Sequence, residues 1–291
     1  EAQAIELARS IDGAMDYIMV DAEKKVPDML SLSGDPANVE RAVREVVERS
    51  TLWTYKGNDL SVDAVDGFLG QVTKDNLRGI GGSRIAIIGL GNLGAKLALK
   101  LVERGANVSV FRRDQKRLKT IVQSLNDIKP EYTMAQITAA VSNESAAAGA
   151  EVLIGTTRGT PVITSSMVNS LASGAIIIDV GKGVLCDGAF QTAAQREIPV
   201  YRLDVSAAFE GLVHKLWAME KLVGERMGRC HCYGESLVAG GLLGQVGEIV
   251  VDDITAPSRV YGIADGQGDF IRSPDEEQSR RLAKIRGEIE E

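Results

Sequence analysis

Gly89, Gly91 and Gly94 stand at G-x-G-x-x-G spacing within Ile87-Ile88-Gly89-Leu90-Gly91-Asn92-Leu93-Gly94. The spacing gains weight from its surroundings. An apolar run, Ile85 to Ile88, leads into it, and a helical pattern from Asn92 to Arg104 leads out. At such a junction the first glycine permits a tight turn, the second lets the backbone approach a phosphate, and the third lets helix and strand pack closely. The first turn of the helix, with Asn92 and Leu93, then offers unpaired N–H groups and a partial positive charge. The chemistry implied is the seating of a dinucleotide pyrophosphate.

A second set of residues bears on which dinucleotide is held. The next apolar run, Asn107 to Phe111, ends in Arg112-Arg113, with Asp114 following late. A carboxylate at this strand tip would accept from a ribose 2′-OH, whereas a guanidinium forks onto a 2′-phosphate. The charge pattern favours NADP over NAD. Ligands of such sheets lie beyond the carboxyl ends of the strands. That selects Thr156 and Thr157 after the fourth run, for the nicotinamide-side ribose, and Val180, Gly181 and Lys182 after the fifth. Lys182 is a candidate anchor for an anionic group, and Arg158 lies in the same set of loops.

The elements that must position these groups alternate. Strands are expected at 84–89, 107–111, 138–141, 151–155, 175–180 and 199–203, with helices at 92–104 and 114–125 between the first of them. Continuous apolar strands separated by helices argue for a parallel sheet covered on both faces. Ahead of it, helices are expected at 2–15, at 36–50 with Asp35 as N-cap and Pro36 first, and at 62–72. Short strands are expected at 17–20 and 52–55. After residue 205 the pattern becomes mainly helical, with helices at 209–227 and 237–251 and a strand at 259–263. A last helix is expected to be capped by Ser273 and Glu276 around Pro274. The fold class is therefore α/β: a Rossmann-type doubly wound parallel sheet with a smaller N-terminal α/β block and C-terminal helices. The divisions expected are 1–80 for the substrate-side domain, 81–235 for the dinucleotide domain, and 236–291 for a helical segment packing back on the N-terminal domain.

Composition narrows the function classes. With 44% apolar and 25% charged residues the 291-residue chain can build an ordinary core, and with 4% aromatics that core must be aliphatic. A net charge of −7 without a basic stripe argues against nucleic acid. No apolar run is long enough to cross a bilayer. Three cysteines make no disulfide framework, so a cytoplasmic setting is expected. The start at Glu1 without Met suggests a processed or trimmed N-terminus. A homodimer is the default assembly. Cys230-His231-Cys232 cannot close a tetrahedral site by itself, so no metal is expected.

Residues 80–205 resemble the cofactor domain of two-domain NAD(P)-dependent dehydrogenases. The stretch Gly174-Ala175-Ile176-Ile177-Ile178-Asp179-Val180-Gly181-Lys182-Gly183-Val184 and the later Leu203-Asp204-Val205 are similar to D-2-hydroxyacid dehydrogenases. In that family an Arg-Gly after the fifth strand grips a substrate carboxylate, and Lys182-Gly183 stands there instead. The same resemblance implies a histidine acid/base, for which His231 is the candidate, with Glu210 as a supporting carboxylate. Trp53 to Phe68 resembles the segment entering the cofactor domain of shikimate dehydrogenases. This implies an Asp–Lys pair in proton transfer: Asp63, with Asp59 and Asp66 as rivals, and Lys56 or Lys25. The candidate catalytic residues are thus Lys56, Asp63, Lys182 and His231. The activity implied is an NADP-dependent oxidoreductase passing hydride between nicotinamide and a small, anionic carbonyl, hydroxyl or imine substrate. A non-catalytic dinucleotide sensor or scaffold is the alternative.

Overall fold

The computed structural model describes residues 1–23, 25–26 and 37–290. The chain divides into two compact units, Glu1–Glu210 and Gly211–Glu291. The block expected at 1–80 lies in the first unit together with the central sheet, and the division falls ahead of residue 235.

The N-terminal block contains α1 (Ala2–Ile11), β1 (Tyr17–Asp21), the short β2 (Lys25–Val26) and β3 (Ala37–Asn38), α2 (Val39–Arg44), β4 (Thr51–Tyr55) and α3 (Gly57–Val72). Strands β1 and β4 pair in parallel, Tyr17 opposite Thr51 and Asp21 opposite Tyr55. Ala8, Ile18, Val20 and Val43 form a small core beneath them. The helices expected at 2–15 and 36–50 come out shorter. The Asp12 carboxylate accepts hydrogen bonds from the Glu48, Arg49 and Ser50 N–H groups, which ends α1 and fixes the turn before β4. The expected N-cap Asp35 and Pro36 lie outside the described residues, and Asn38 caps α2 by accepting from the Arg41 N–H.

The dinucleotide domain follows as β5 (Arg84–Ile88), α4 (Asn92–Glu103), β6 (Asn107–Phe111), α5 (Gln115–Ile128), β7 (Ile137–Ala139), α6 (Asn143–Ala147), β8 (Val152–Gly155), α7 (Ser165–Ser170), β9 (Ile176–Asp179), α8 (Ala189–Gln195) and β10 (Val200–Arg202). The six strands are all parallel, in the order β10-β9-β8-β5-β6-β7. Numbered within the sheet this is 6-5-4-1-2-3, the doubly wound Rossmann order. The alternate residues of β5 feed two cores. Ile85 and Ile87 pack with α3, α4 and α5 on one face. Ala86 and Ile88 pack with α6, α7 and α8 on the other. Both faces are dry, which is why the strands read as unbroken apolar runs.

Helix α9 (Ser206–Lys221) runs across the division between the units and ends in a π-helical turn at 222–226. The second unit then departs from expectation. The helix expected at 237–251 is absent. A four-stranded sheet occupies the region, ordered β11 (Gly228–Cys232), β12 (Glu235–Ala239), β13 (Ile249–Val251) and β14 (Val260–Ile263). Leu237, Val238 and Ala239 are completely buried, and Gly240 and Gly241 both take left-handed φ values. Glycine at that density disfavours a helix by about 1 kcal/mol per residue, and the β-branched residues at 249–251 suit a buried strand. Helix α10 (Glu276–Glu290) covers this sheet through Leu282, Ile285 and Ile289. Its cap is not the expected Ser273–Glu276 pair. Asp275 Oδ1 accepts from the Gln278 N–H, and Gln278 Oε1 accepts from the Asp275 N–H.

Candidate functional site

The turn between β5 and α4 is built as the glycine spacing implies. Gly89 takes φ +103°, a conformation that L side chains rarely adopt. A Cβ at Gly94 would overlap the Gly89 carbonyl oxygen, so the first turn of α4 rests directly on the strand end. At Gly91 a Cβ would meet nothing within 4 Å. The backbone there faces open space at the N-terminus of a 12-residue helix, and Gly91 itself supplies no side-chain cap to that helix. This is a cradle suited to a phosphate.

That open space belongs to a cavity of about 620 Å³. Its walls come from three strand ends. Gly89, Gly91, Asn92, Leu93 and Gly94 form the centre. Phe111, Arg112, Arg113 and Asp114 form the β6 side, and Thr156, Thr157, Arg158 and Thr160 form the β8 side. One lining residue, Asn58, comes from ahead of the sheet.

Hydrogen bonds sort these residues further. Arg112 donates from Nη1 to the Leu90 carbonyl at 2.8 Å, which draws its guanidinium over the glycine turn. Asp114 accepts from the Arg117 N–H at 3.0 Å and is the N-cap of α5. Its late position is therefore a capping position. The Thr156 hydroxyl bonds to the Gly89 and Ile88 carbonyls, and the Thr157 hydroxyl donates to the Thr160 carbonyl at 2.8 Å. Both threonines line the cavity, but their hydroxyl protons serve to hold the loop. Val180 and Gly181 stand behind it. Their N–H groups donate to the Gly155 carbonyl, and the Gly181 carbonyl accepts from Gly159. A Cβ at Gly181 would overlap the Thr157 carbonyl oxygen. The loops after β8 and β9 are thus stitched together.

Of the four candidate catalytic residues, Lys56 lies at the start of α3 and Asp63 within it, Lys182 lies in the loop after β9, and His231 lies in the second unit. Lys56 is the N-cap residue of α3, with its side chain exposed and making no capping bond. Asp63 lies seven residues further on, about 10 Å along the helix axis, and pairs with Lys100 of α4 at 3.4 Å. Its rivals serve the same interface. Asp59 pairs with Lys96 at 2.6 Å, and Asp66 with Lys100 and Arg104. The side chain of Lys25 lies outside the described residues. Lys182 is exposed and takes φ +60°, in a loop held by a 2.8 Å bond from the Gly183 N–H to Asp179 Oδ2. Asp179 is 3% exposed, and its Oδ1 has no partner among the described residues. His231 belongs to the second unit, on β11 opposite Ser236. Its neighbours Cys230 and Cys232 pack on that unit's core.

Sequence reasoning missed the link between the N-terminal block and the glycine turn. Asn58 donates from Nδ2 to Asn92 Oδ1 at 3.1 Å. Its own N–H donates to Glu23 Oε2 at 2.7 Å, and Glu23 Oε1 accepts from Lys96 at 2.9 Å. Burial alone would pull the Lys96 ammonium down, but the bonds to Asp59 and Glu23 outweigh it and hold the group above its ordinary range. Nothing in local spacing signals contacts 34 to 73 residues apart.

Residues 84–183 match a family model described as NADP oxidoreductase, coenzyme F420-dependent. The matched stretch runs from β5 through the loop after β9. The chain therefore carries the Rossmann domain of an NAD(P)-dependent dehydrogenase or reductase. No curated protein sequence matches the chain. Among solved structures, a dipicolinate synthase from Bacillus halodurans is 18% identical over 70% of this chain and 79% of its own, with a TM-score of 0.39. L-tryptophan dehydrogenase from Nostoc punctiforme is 15% identical over 69% and 54%, with a TM-score of 0.43. CAD from Helicobacter pylori complexed with NADP(H) is 14% identical over 63% and 46%, with a TM-score of 0.39. Likenesses at these levels say nothing about substrate. No helix among the described residues is long and apolar enough to cross a membrane.

Proposed function

We propose that the cavity holds NADP and that the protein passes hydride between this cofactor and a small carbonyl, hydroxyl or imine substrate. The observation that carries the choice of NADP is the β6 tip. Arg112 and Arg113 line the cavity there, while the nearby carboxylate, Asp114, is occupied as a helix cap. The Arg112 bond to Leu90 uses one N–H of five and leaves the rest for a 2′-phosphate. Gly89, Gly91, Asn92, Leu93 and Gly94 would seat the pyrophosphate. Thr156, Thr157, Val180 and Gly181 would shape the nicotinamide side. When bound, the nicotinamide gives or takes the hydride.

The chain's own part is to hold the substrate carbon against the ring and to manage one proton. Lys182 and Lys56 are the candidates for anchoring an anionic substrate or donating that proton. The ion pairs of Asp63 and its neighbours favour a fastening role for those carboxylates. Titration with NADPH and NADH tests the cofactor reading, with NADPH expected to bind at least tenfold more tightly. Arg112→Gln should lose about 1.5–3 kcal/mol of NADPH binding, the range for a charged hydrogen bond, and little NADH binding. Equal affinity for the two cofactors in the unaltered protein would defeat the NADP assignment. Turnover with a panel of small keto acids, imines and cyclic alcohols tests the reaction class, and Lys56→Ala and Lys182→Ala made separately test the two lysines.

A further inference from the structure

The sheet order places β5 between β6 and β8. The cavity's arginines are divided by that order. Arg112 and Arg113 stand on the β6 side, and Arg158 stands alone on the β8 side. We infer that Arg158 clamps the cofactor's pyrophosphate from the side opposite the 2′-phosphate site. This rests on the dinucleotide reading of the cavity and adds a binding residue to it.

Three observations carry the assignment. First, the β8 loop abuts the glycine turn. A Cβ at Gly89 would lie 3.1 Å from Thr156 Oγ1 and 3.2 Å from the Thr157 nitrogen, so the residue that follows, Arg158, starts beside the pyrophosphate cradle. Second, the backbone under Arg158 is fixed. The Gly159 N–H donates at 2.8 Å to both the Thr157 and the Gly181 carbonyls, and the Thr157 hydroxyl ties down Thr160. Third, Arg158 lines the cavity with an exposed side chain that makes no ion pair or hydrogen bond among the described residues, so its guanidinium is free to turn onto a bound anion. A cradle made of backbone N–H groups alone satisfies an anion by dipoles. A forked guanidinium across from it adds a full charge and paired donors to the same oxygens.

The test separates the pyrophosphate from the 2′-phosphate. Arg158→Gln is titrated with NADPH and NADH alongside Arg112→Gln and the unaltered protein, with melting temperatures recorded for each. Arg158→Gln is expected to weaken both cofactors by the same factor, about tenfold, leaving their ratio unchanged. Arg112→Gln is expected to collapse the ratio. Arg158→Lys, which keeps the charge without the fork, should recover part of the loss. Unchanged affinity in Arg158→Gln would overturn the clamp. So would a loss confined to NADPH, which would move Arg158 to the 2′-phosphate. If the unaltered protein bound neither cofactor, the dinucleotide reading itself would fail, an outcome distinct from a clamp that fails in a protein that binds.

Discussion

At the scale of single residues, the glycine turn leaves little room for change. Gly94→Ala must push helix α4 off the Gly89 carbonyl, a case of overpacking that costs about 1–3 kcal/mol. The expected result is a lower melting temperature together with weakened NADPH binding. Gly91→Ala offers the contrast, because a Cβ there meets no protein atom. It should leave stability nearly unchanged and reduce only cofactor affinity, as thermal melts and titrations would show. The Cys-His-Cys triplet resolves in a different direction. Burial, and then the neighbouring Cys232, push the Cys230 thiol up to about 11, which keeps it protonated at neutral pH. Cys230 should therefore resist alkylation at pH 7.5 in the folded protein and react only on unfolding; mass spectrometry of labelled peptides would reveal rapid labelling if this is wrong.

At the scale of elements, α3 and α4 run side by side with their first turns toward the cavity. Asn58–Asn92, Asp59–Lys96, Asp63–Lys100 and Asp66–Arg104 follow one another down the seam. Half-exposed pairs of this kind contribute about 0.2–1 kcal/mol each. Lys96→Met should accordingly lower stability modestly, more at low salt than at high salt. A loss indifferent to salt would point to packing and not to charge. How much of this is legible in the sequence follows from the range of each contact. The apolar strands 84–111 and the glycine turn are local patterns, and the structure places them within a residue or two of expectation. Helix α3 is expected from Val62 but begins at Gly57, because Asp21 and Glu23 accept from its first N–H groups. Those partners are more than 30 residues away. The second unit defeats its periodicity reading, because an apolar run broken by glycines fits a buried strand and turn as well as a helix. Asp63 pairs with Lys100 of α4 and, among the described residues, not with Lys56: motif likeness fixes residue types but not the helix turn on which they fall.

At the scale of the whole molecule, several carboxylates with lowered values tie stability to acid. Asp12 is held down to about 2 by hydrogen bonds from the Ser50 and Glu48 backbone. Asp252 is held at about 2 although its burial works the other way, because Ser258 and Arg259 donate to it. Asp253 and Asp265 are lowered by backbone N–H groups, and Glu248 by its bond to Arg229 against the pull of burial. A carboxylate with a lowered folded value contributes stability above its unfolded value and loses it as pH falls toward the folded one. Stability should hold at neutral pH and fall between about pH 4 and pH 2, with Asp12→Asn removing part of that slope in acid melts. The sheet order carries a last consequence, in time during synthesis. Strand β5 emerges first among the six, yet it lies in the middle. Its β6 edge is covered early, but its β8 partner begins at Val152, 64 residues after Ile88 (152 − 88). At about 5–20 residues per second a nascent chain would carry that bare apolar edge for roughly 3–13 s. A chain ending at residue 151 should therefore be less soluble than the full chain.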